Sequence, residues 1–138
     1  MAPHSDLPRH KPLLATILLS ERVLTGENLE RALRIWHRRR EEGQRKAFGQ
    51  IVLELRLVTP TLLDHYVALQ RRMAPPPGRR RPLGVLALET GVVTATMVTT
   101  LLAVQVQTGQ RLGDLLVSRA GLRRPQVDTL LMQQRATA

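Results

Sequence analysis

The stretch RLGDLLVSRAGLRRPQVDTLLMQQ, residues 111–134, decides the fold of this chain. Counting from Gly113, aliphatic residues follow at positions 2, 3 and 4, a turn begins near position 7, and further aliphatics stand at positions 9, 14 and 18. A glutamine closes the stretch at position 21. Apolar spacings of three or four residues on both sides of a turn are typical of amphipathic helices. The stretch therefore predicts a short helix, a tight turn and a longer helix.

The same pattern occurs four times along the chain. Repeats 1 to 4 span residues 13–36, 48–70, 83–105 and 112–134, and each is counted from a small reference residue: Ala15, Gly49, Gly84 and Gly113. A unit of this kind cannot bury its apolar face alone, so the repeats must pack together. We predict an all-α fold of about eight short helices in four helix-turn-helix repeats, which form two packed halves.

Residues at position 10 predict where the second helix of each repeat begins. Threonine stands there in repeats 1 to 3, and a threonine before an apolar helical segment is a typical N-cap. Arg123 takes this position in repeat 4, where we predict a weaker cap. The first helices are predicted over stretches such as 49–56 and 84–90, and the second helices over stretches such as 60–72 and 95–107. Gly43 and Gly109 are predicted to end two of the second helices.

The chain divides into four predicted segments. Residues 1–11 are predicted to be a disordered leader, and residues 12–72 an N-terminal half with repeats 1 and 2. Residues 73–81, MAPPPGRRR, are predicted to form a linker, because three successive prolines forbid a helix. Residues 82–135 form the predicted C-terminal half. The leader lacks the apolar segment of a signal peptide, and no apolar run is long enough to span a bilayer, so we expect a cytoplasmic protein.

Composition limits the chemistry that this chain can perform. Its formal charge is +10, all but two of its 21 basic residues are arginine, and it has no cysteine. The charge favours an anionic partner, whether nucleic acid, a phosphorylated ligand or an acidic protein. The four histidines have no metal-ligand spacing, and no Ser-His-Asp set has supporting context. We therefore predict that the protein is not an enzyme and has no cofactor or metal. We also predict that the aromatic residues Trp36, Phe48 and Tyr66 are core residues.

Repeats 3 and 4 resemble a known ligand-binding motif. The pattern R-L-G-x-x-L-V-x-x-G-x-L-x-x-x-x-L-x-x-x-L-x-x-Q, repeated after a five-residue spacer, is similar to the cyclic di-GMP-binding motif of the MshEN domain. That bacterial domain stands at the N-terminus of type II secretion and type IV pilus assembly ATPases. The motif copy in repeat 4 begins Arg111-Leu112-Gly113, the copy in repeat 3 begins Pro82-Leu83-Gly84, and five residues, 106–110, separate the two copies. Repeats 1 and 2 are degenerate, and no G-x-x-x-x-G-K-[ST] motif for nucleotide hydrolysis occurs.

The resemblance implies a stand-alone, non-enzymatic receptor for the second messenger cyclic di-GMP, which signals through a protein partner such as a motility, pilus or secretion component. In this interpretation the arginine bonds or stacks on guanine, the glycine admits a phosphate or base edge, and aliphatics at positions 14 and 18 form a floor for the purine. Pro82 stands where the motif has its arginine in repeat 3, and Arg79, Arg80 or Arg81 from the preceding loop would replace that arginine. The implied ligand-binding residues are Arg81, Leu83, Gly84, Val98, Leu102, Gln105, Arg111, Leu112, Gly113, Val127, Leu131 and Gln134.

Each element of this site also has a simpler interpretation. The glycines can mark a close helix crossing, the aliphatics are core residues of any helical hairpin, and the glutamines can be surface residues. An alternative function is therefore a protein-interaction adaptor that keeps the fold and has lost the ligand. A second alternative is nucleic-acid binding through the arginines of residues 38–40, 79–81 and 123–124, although these clusters lack interleaved aromatic residues.

Overall fold

The computed structural model describes residues 12–74 and 81–136. The predicted leader and residues 75–80 of the predicted linker lie outside the described residues. The described part is all-helical, as predicted, and contains no strand. Its eight helices are α1 (Leu13–Ser20), α2 (Gly26–Glu41), α3 (Phe48–Glu54), α4 (Pro60–Met73), α5 (Leu83–Glu89), α6 (Ala95–Thr108), α7 (Leu112–Ala120) and α8 (Arg124–Ala136).

The second helix of every repeat begins at position 11, directly after the residue that was predicted to cap it. The hydroxyl oxygens of Thr25, Thr59 and Thr94 accept hydrogen bonds from backbone N–H groups three residues later, at 3.1 to 3.2 Å. These bonds satisfy N–H groups that have no partner within the helix. In repeat 4 the bond runs the other way, since the backbone N–H of Arg123 donates to the side-chain oxygen of Gln126 at 2.7 Å.

The turn inside each repeat requires one residue with left-handed backbone geometry. That residue stands at position 7 in the first three repeats: Arg22 with φ 59°, Arg56 with φ 58° and Gly91 with φ 80°. In repeat 4 it is Gly121, at position 8, with φ 78°. Helix α7 therefore includes Ala120, whereas α3 ends at Glu54, two residues before the predicted end at residue 56. The shifted glycine of repeat 4 thus marks a longer first helix.

The chain forms two compact units that divide between Gln70 and Arg71, near the end of α4. We call the described residues up to 70 the N-unit and those from 71 onward the C-unit. In the N-unit, α3 packs against α1 and α2. Trp36, Phe48 and Tyr66 are buried there, which confirms the predicted core positions. Gly43 and Gly109, both with positive φ, follow the ends of α2 and α6 as predicted.

In the C-unit the two repeats are interleaved. The second helix of repeat 3, α6, packs against the first helix of repeat 4, α7, and the second helix of repeat 4, α8, packs against the first helix of repeat 3, α5. Helices α5 and α7 also contact one another. Each repeat therefore depends on the other for its apolar cover, as expected for units that cannot fold alone.

Within residues 12–74 and 81–136, no helix combines the length and the apolar character that crossing a bilayer would need.

Candidate functional site

The two motif starts of the C-unit meet through their glycines. A Cβ atom on Gly84 would lie 2.7 Å from Val98 Cγ1 and 3.6 Å from Leu112 Cδ2. A Cβ atom on Gly113 would lie 3.1 Å from Val127 Cγ1 and 3.7 Å from Leu83 Cδ2. Each glycine thus faces position 14 of its own repeat and the leucine that begins the helix of the other repeat. Because these contacts are reciprocal, the starts of α5 and α7 are related by an approximate two-fold axis.

The N-unit follows the same contact rule. A Cβ atom on Gly49 would lie 3.3 Å from a methyl group of Leu63, at position 14 of its own repeat, and 3.4 Å from a methyl group of Leu14 in repeat 1. Leu14 stands directly before the reference residue Ala15, as Leu83 and Leu112 stand before their glycines. The small reference residue therefore permits a close helix crossing in both units, including the unit whose motif is degenerate.

Six of the twelve predicted ligand-binding residues belong to the buried interior. Val98 and Val127 have 0% exposure and face the glycine of their own repeat, so in this arrangement the residues predicted to form the purine floor at position 14 are core residues. Gly84 and Gly113 are likewise buried. The space beside each glycine, where a Cβ atom would stand, is occupied by valine and leucine side chains and not by a phosphate or a base. Leu83 and Leu112 complete the buried set.

The other six predicted residues have surface that a ligand can reach. Leu102 and Leu131 are half-buried, and each lies one helical turn beyond the fully buried valine of its helix. Gln105 and Gln134 follow on the same faces and are also half-buried. Near the C-terminal ends of α6 and α8, the apolar face of each helix is thus partly exposed to solvent, and one glutamine lies beside it. Arg81 and Arg111 are exposed.

Arg111 and Pro82 occupy equivalent backbone positions at the two helix starts. Both are N-caps with extended geometry, φ −73° and ψ 144° for Arg111 and φ −61° and ψ 146° for Pro82. Proline fits there because its ring fixes φ near the value that this position already has. One turn into α7, the Asp114 carboxylate is paired with Arg124 at 2.8 Å. No ion pair joins Arg111 to another residue of the described part.

Arg81 does not replace the missing arginine of repeat 3 in this structure. Its guanidinium is paired with the carboxylate of Glu89, the last residue of α5. The Cα atom of Glu89 lies about 9 Å along the helix axis from that of Leu83, the first residue of α5. The backbone carbonyl of Arg81 is also engaged, because it accepts a hydrogen bond from Gln134 Nε2 at 3.1 Å. The neighbouring residues 79 and 80 lie outside the described residues.

The bond from Gln134 has a counterpart in the N-unit that sequence reasoning missed. Trp36 Nε1 donates to the carbonyl oxygen of Lys46 at 3.1 Å. Trp36 and Gln134 both stand at position 21, and Lys46 and Arg81 both stand three residues before the glycine of the paired repeat. The side chain of Lys46 pairs with Glu54 at 2.6 Å, as that of Arg81 pairs with Glu89. A basic residue and an acidic residue eight positions apart in repeats 2 and 3 were the sequence signal for this equivalence.

In the N-unit, further charged contacts stabilise the ion pair between Lys46 and Glu54 and the side chain of Trp36. Lys46 Nζ and Arg39 Nη1 each lie 2.6 Å from one of its carboxylate oxygens. Hydrogen bonds from Lys46 and then from Arg39 hold the pKa of the Glu54 carboxyl below its usual range. The guanidinium of Arg40 lies 4.8 Å from the centre of the Trp36 ring, a cation–π contact. In the N-unit, the position-21 side chain, Trp36, is therefore held by contacts within the protein.

Comparison with protein-family models, with characterised proteins and with solved structures found no match to this chain. Among the residues that the structure describes, no three His, Cys, Asp or Glu side chains are grouped so that they could hold a metal ion. The residues with accessible surface near the two helix starts are two exposed arginines, of which Arg111 makes no ion pair within the described part, two half-buried leucines and two half-buried glutamines.

Proposed function

We propose that the C-unit binds cyclic di-GMP and that this protein is a non-enzymatic receptor whose ligand state is read by a protein partner. The observation that supports this best is the reciprocal packing of Gly84 and Gly113. It places two copies of one motif around an approximate two-fold axis. Cyclic di-GMP is itself two-fold symmetric, with two guanines and two phosphates, so a duplicated motif suits it.

The exposed residues supply matching chemistry. The guanidinium of Arg111 can bond the O6 and N7 atoms of guanine or lie flat on the base. Helix α7 has nine residues, and the backbone N–H groups of its first turn have no partner within the helix, which favours a phosphate there. Leu102 and Leu131 provide apolar surface for a purine, and the amides of Gln105 and Gln134 stand beside them.

Signalling would follow from the interleaved packing of the C-unit. A ligand that contacts residues of both repeats favours the arrangement in which α5 and α7 are closely packed over looser ones. A partner that docks on either repeat then senses the ligand. Because cyclic di-GMP is an intracellular bacterial messenger, we place the protein in the cytoplasm and expect its partner among motility, pilus or secretion components.

Isothermal calorimetry with the full chain tests the proposal. Wild-type protein should bind cyclic di-GMP at micromolar protein concentration, and Arg111→Ala should weaken binding by roughly tenfold or more, since hydrogen bonds to charged groups contribute about 1.5–3 kcal/mol. Arg119→Ala is the matched control, because Arg119 is an exposed arginine at the opposite end of the same helix. Absence of heat with the wild type, or equal binding by Arg111→Ala, would refute the proposal.

A ligand-free adaptor is the second candidate, and one observation favours it. Trp36 makes in the N-unit the hydrogen bond that Gln134 makes in the C-unit, so position 21 has a packing role that needs no ligand. In this alternative, exposed arginines of the C-unit such as Arg119, Arg123 and Arg135 contact an acidic protein. A purified candidate partner that binds equally with and without cyclic di-GMP supports the adaptor. A mobility-shift assay with duplex DNA at low salt distinguishes the receptor and the adaptor from a nucleic-acid-binding protein, since only the last should shift the DNA.

A further inference from the structure

The two helix starts at the centre of the C-unit are alike in backbone and unlike in side chain. Arg111 and Pro82 have φ values of −73° and −61° and nearly the same ψ, and both precede a buried Leu-Gly pair. One start therefore presents a guanidinium and the other presents an apolar ring. In a site built around an approximate two-fold axis, this is a difference between two otherwise equivalent places.

The described arginine next to Pro82 in sequence does not make up the difference. Arg81, the residue before Pro82, directs its guanidinium to Glu89 at the far end of α5. That pairing engages the guanidinium of Arg81 and offsets its charge. On the other side of the axis, the acid closest in sequence to Arg111 is Asp114, which is already paired with Arg124. Two separate ion pairs thus engage Arg81 and Asp114, whereas no ion pair engages Arg111 within the described residues.

The imbalance has a chemical consequence for bases. Guanine presents two acceptors, O6 and N7, which a guanidinium contacts with two hydrogen bonds. Adenine presents an N6 amino donor in place of O6, so the same guanidinium can keep at most one of the two bonds. Proline has no hydrogen-bond donor in its side chain or on its backbone nitrogen, and it therefore distinguishes neither base.

We infer that the C-unit reads only one base of a cyclic dinucleotide: guanine beside Arg111, and either purine beside Pro82. This inference rests on the proposed function, and it extends the ligand class to the hybrid dinucleotide cyclic GMP–AMP. The hybrid binds with its guanine toward Arg111. Cyclic di-AMP, which has no guanine to offer, binds more weakly.

Calorimetric titration of the full chain with three dinucleotides tests this. Cyclic di-GMP and cyclic GMP–AMP should bind with dissociation constants within about threefold, whereas cyclic di-AMP should bind roughly tenfold or more weakly, the size expected for one lost bidentate contact. Arg111→Ala should bind all three within about threefold of one another. Pro82→Arg should favour cyclic di-GMP over the hybrid by about tenfold. The Pro82→Arg chain should fold, because Arg111 already has the same backbone geometry.

The outcomes separate the inference from the proposed function. If wild type binds cyclic di-GMP more than about tenfold tighter than the hybrid, the function stands and one-sided reading is wrong. Equal binding of cyclic di-AMP and cyclic di-GMP, or a Pro82→Arg variant with an unchanged ratio between cyclic di-GMP and the hybrid, also overturns the inference. If none of the three dinucleotides binds the wild type, both the function and the inference fall. Circular dichroism of each variant confirms that its helices are intact.

Discussion

Trp36 and Gln134 donate the same hydrogen bond in the two units, each to the carbonyl oxygen three residues before the glycine of the paired repeat, and each at 3.1 Å. An indole and a carboxamide share little besides an N–H donor at the end of a planar group. The equivalence therefore identifies the requirement at position 21: a long side chain with a donor that holds the entry to the neighbouring helix.

The first prediction concerns this donor. Gln134→Met keeps the length of the side chain and removes its N–H group, so the Arg81 carbonyl loses a partner. We expect the free energy of unfolding to fall by about 0.5–1.5 kcal/mol, the usual net contribution of one hydrogen bond. Gln133→Met, at the exposed neighbouring position, is the control and should change stability little. Urea unfolding followed by circular dichroism measures both, and equal stability of the two variants would show that the bond contributes nothing.

The second prediction concerns the turns inside the repeats: substitutions at two equivalent positions should change the free energy of unfolding in opposite directions. Arg56 has φ 58°, a left-handed geometry that costs an L-residue roughly 1–2 kcal/mol. Arg56→Gly should therefore stabilise the fold by about 0.5–1 kcal/mol after the entropy cost of glycine. Gly91→Ala, at φ 80° in repeat 3, should destabilise it by about 1 kcal/mol.

Arg34→Gly is the matched control for the turn variant, because Arg34 is an exposed arginine in the interior of α2. Glycine there should cost about 1 kcal/mol. Thermal unfolding curves show whether each of the three variants unfolds at a higher or a lower temperature than the wild type. A lower unfolding temperature for Arg56→Gly would contradict the strain inferred from its backbone.

Much of the fold could be predicted because four copies of one pattern reinforce each other. Helix starts at position 11 and the threonine caps depend on local chemistry, which a sequence displays directly. The interleaving of repeats 3 and 4 could not be predicted, because apolar spacing shows which face is buried and not what covers it. The same gap concerns Val98: the sequence is compatible with a core residue and with a purine floor at position 14, and only the structure shows that this side chain packs against Gly84.

Tyr66 gives a prediction on pH. Burial, and then the negative charge of Glu21, whose carboxylate oxygen lies 3.4 Å from the tyrosine hydroxyl, raise the pKa of Tyr66 above its ordinary value near 10. A raised folded-state pKa means that the neutral phenol is favoured in the fold. Its contribution to stability is complete below the pKa of the unfolded chain and is lost as pH rises through the folded-state pKa.

Ultraviolet absorbance measures this shift cleanly, because the chain has a single tyrosine. The folded protein should ionise at higher pH than the same chain in urea, and Glu21→Gln should reduce the difference by removing the charge. Tyr66→Phe should lessen the loss of stability above about pH 10. Identical titration curves for the folded and the unfolded chain would contradict the prediction.

The glycine crossing gives the last prediction, and the two motif glycines should differ. A Cβ atom on Gly84 would lie 2.7 Å from Val98 Cγ1, closer than packed carbon atoms approach, and Val98 is a fully buried, β-branched residue with little freedom to move. Gly84→Ala should therefore cost about 1–3 kcal/mol of unfolding free energy. At Gly113 the corresponding distance is 3.1 Å, so Gly113→Ala should cost less.

Two controls make the assignment specific to the crossing. Gly26→Ala introduces its methyl group into open space at the start of α2 and should leave stability equal or higher. Val98→Ala removes the methyl group that Gly84→Ala would meet, so the double variant should be more stable than the sum of the two single losses predicts, by about 0.5–3 kcal/mol. Strict additivity of the two substitutions in urea unfolding would show that Gly84 and Val98 do not share the crossing.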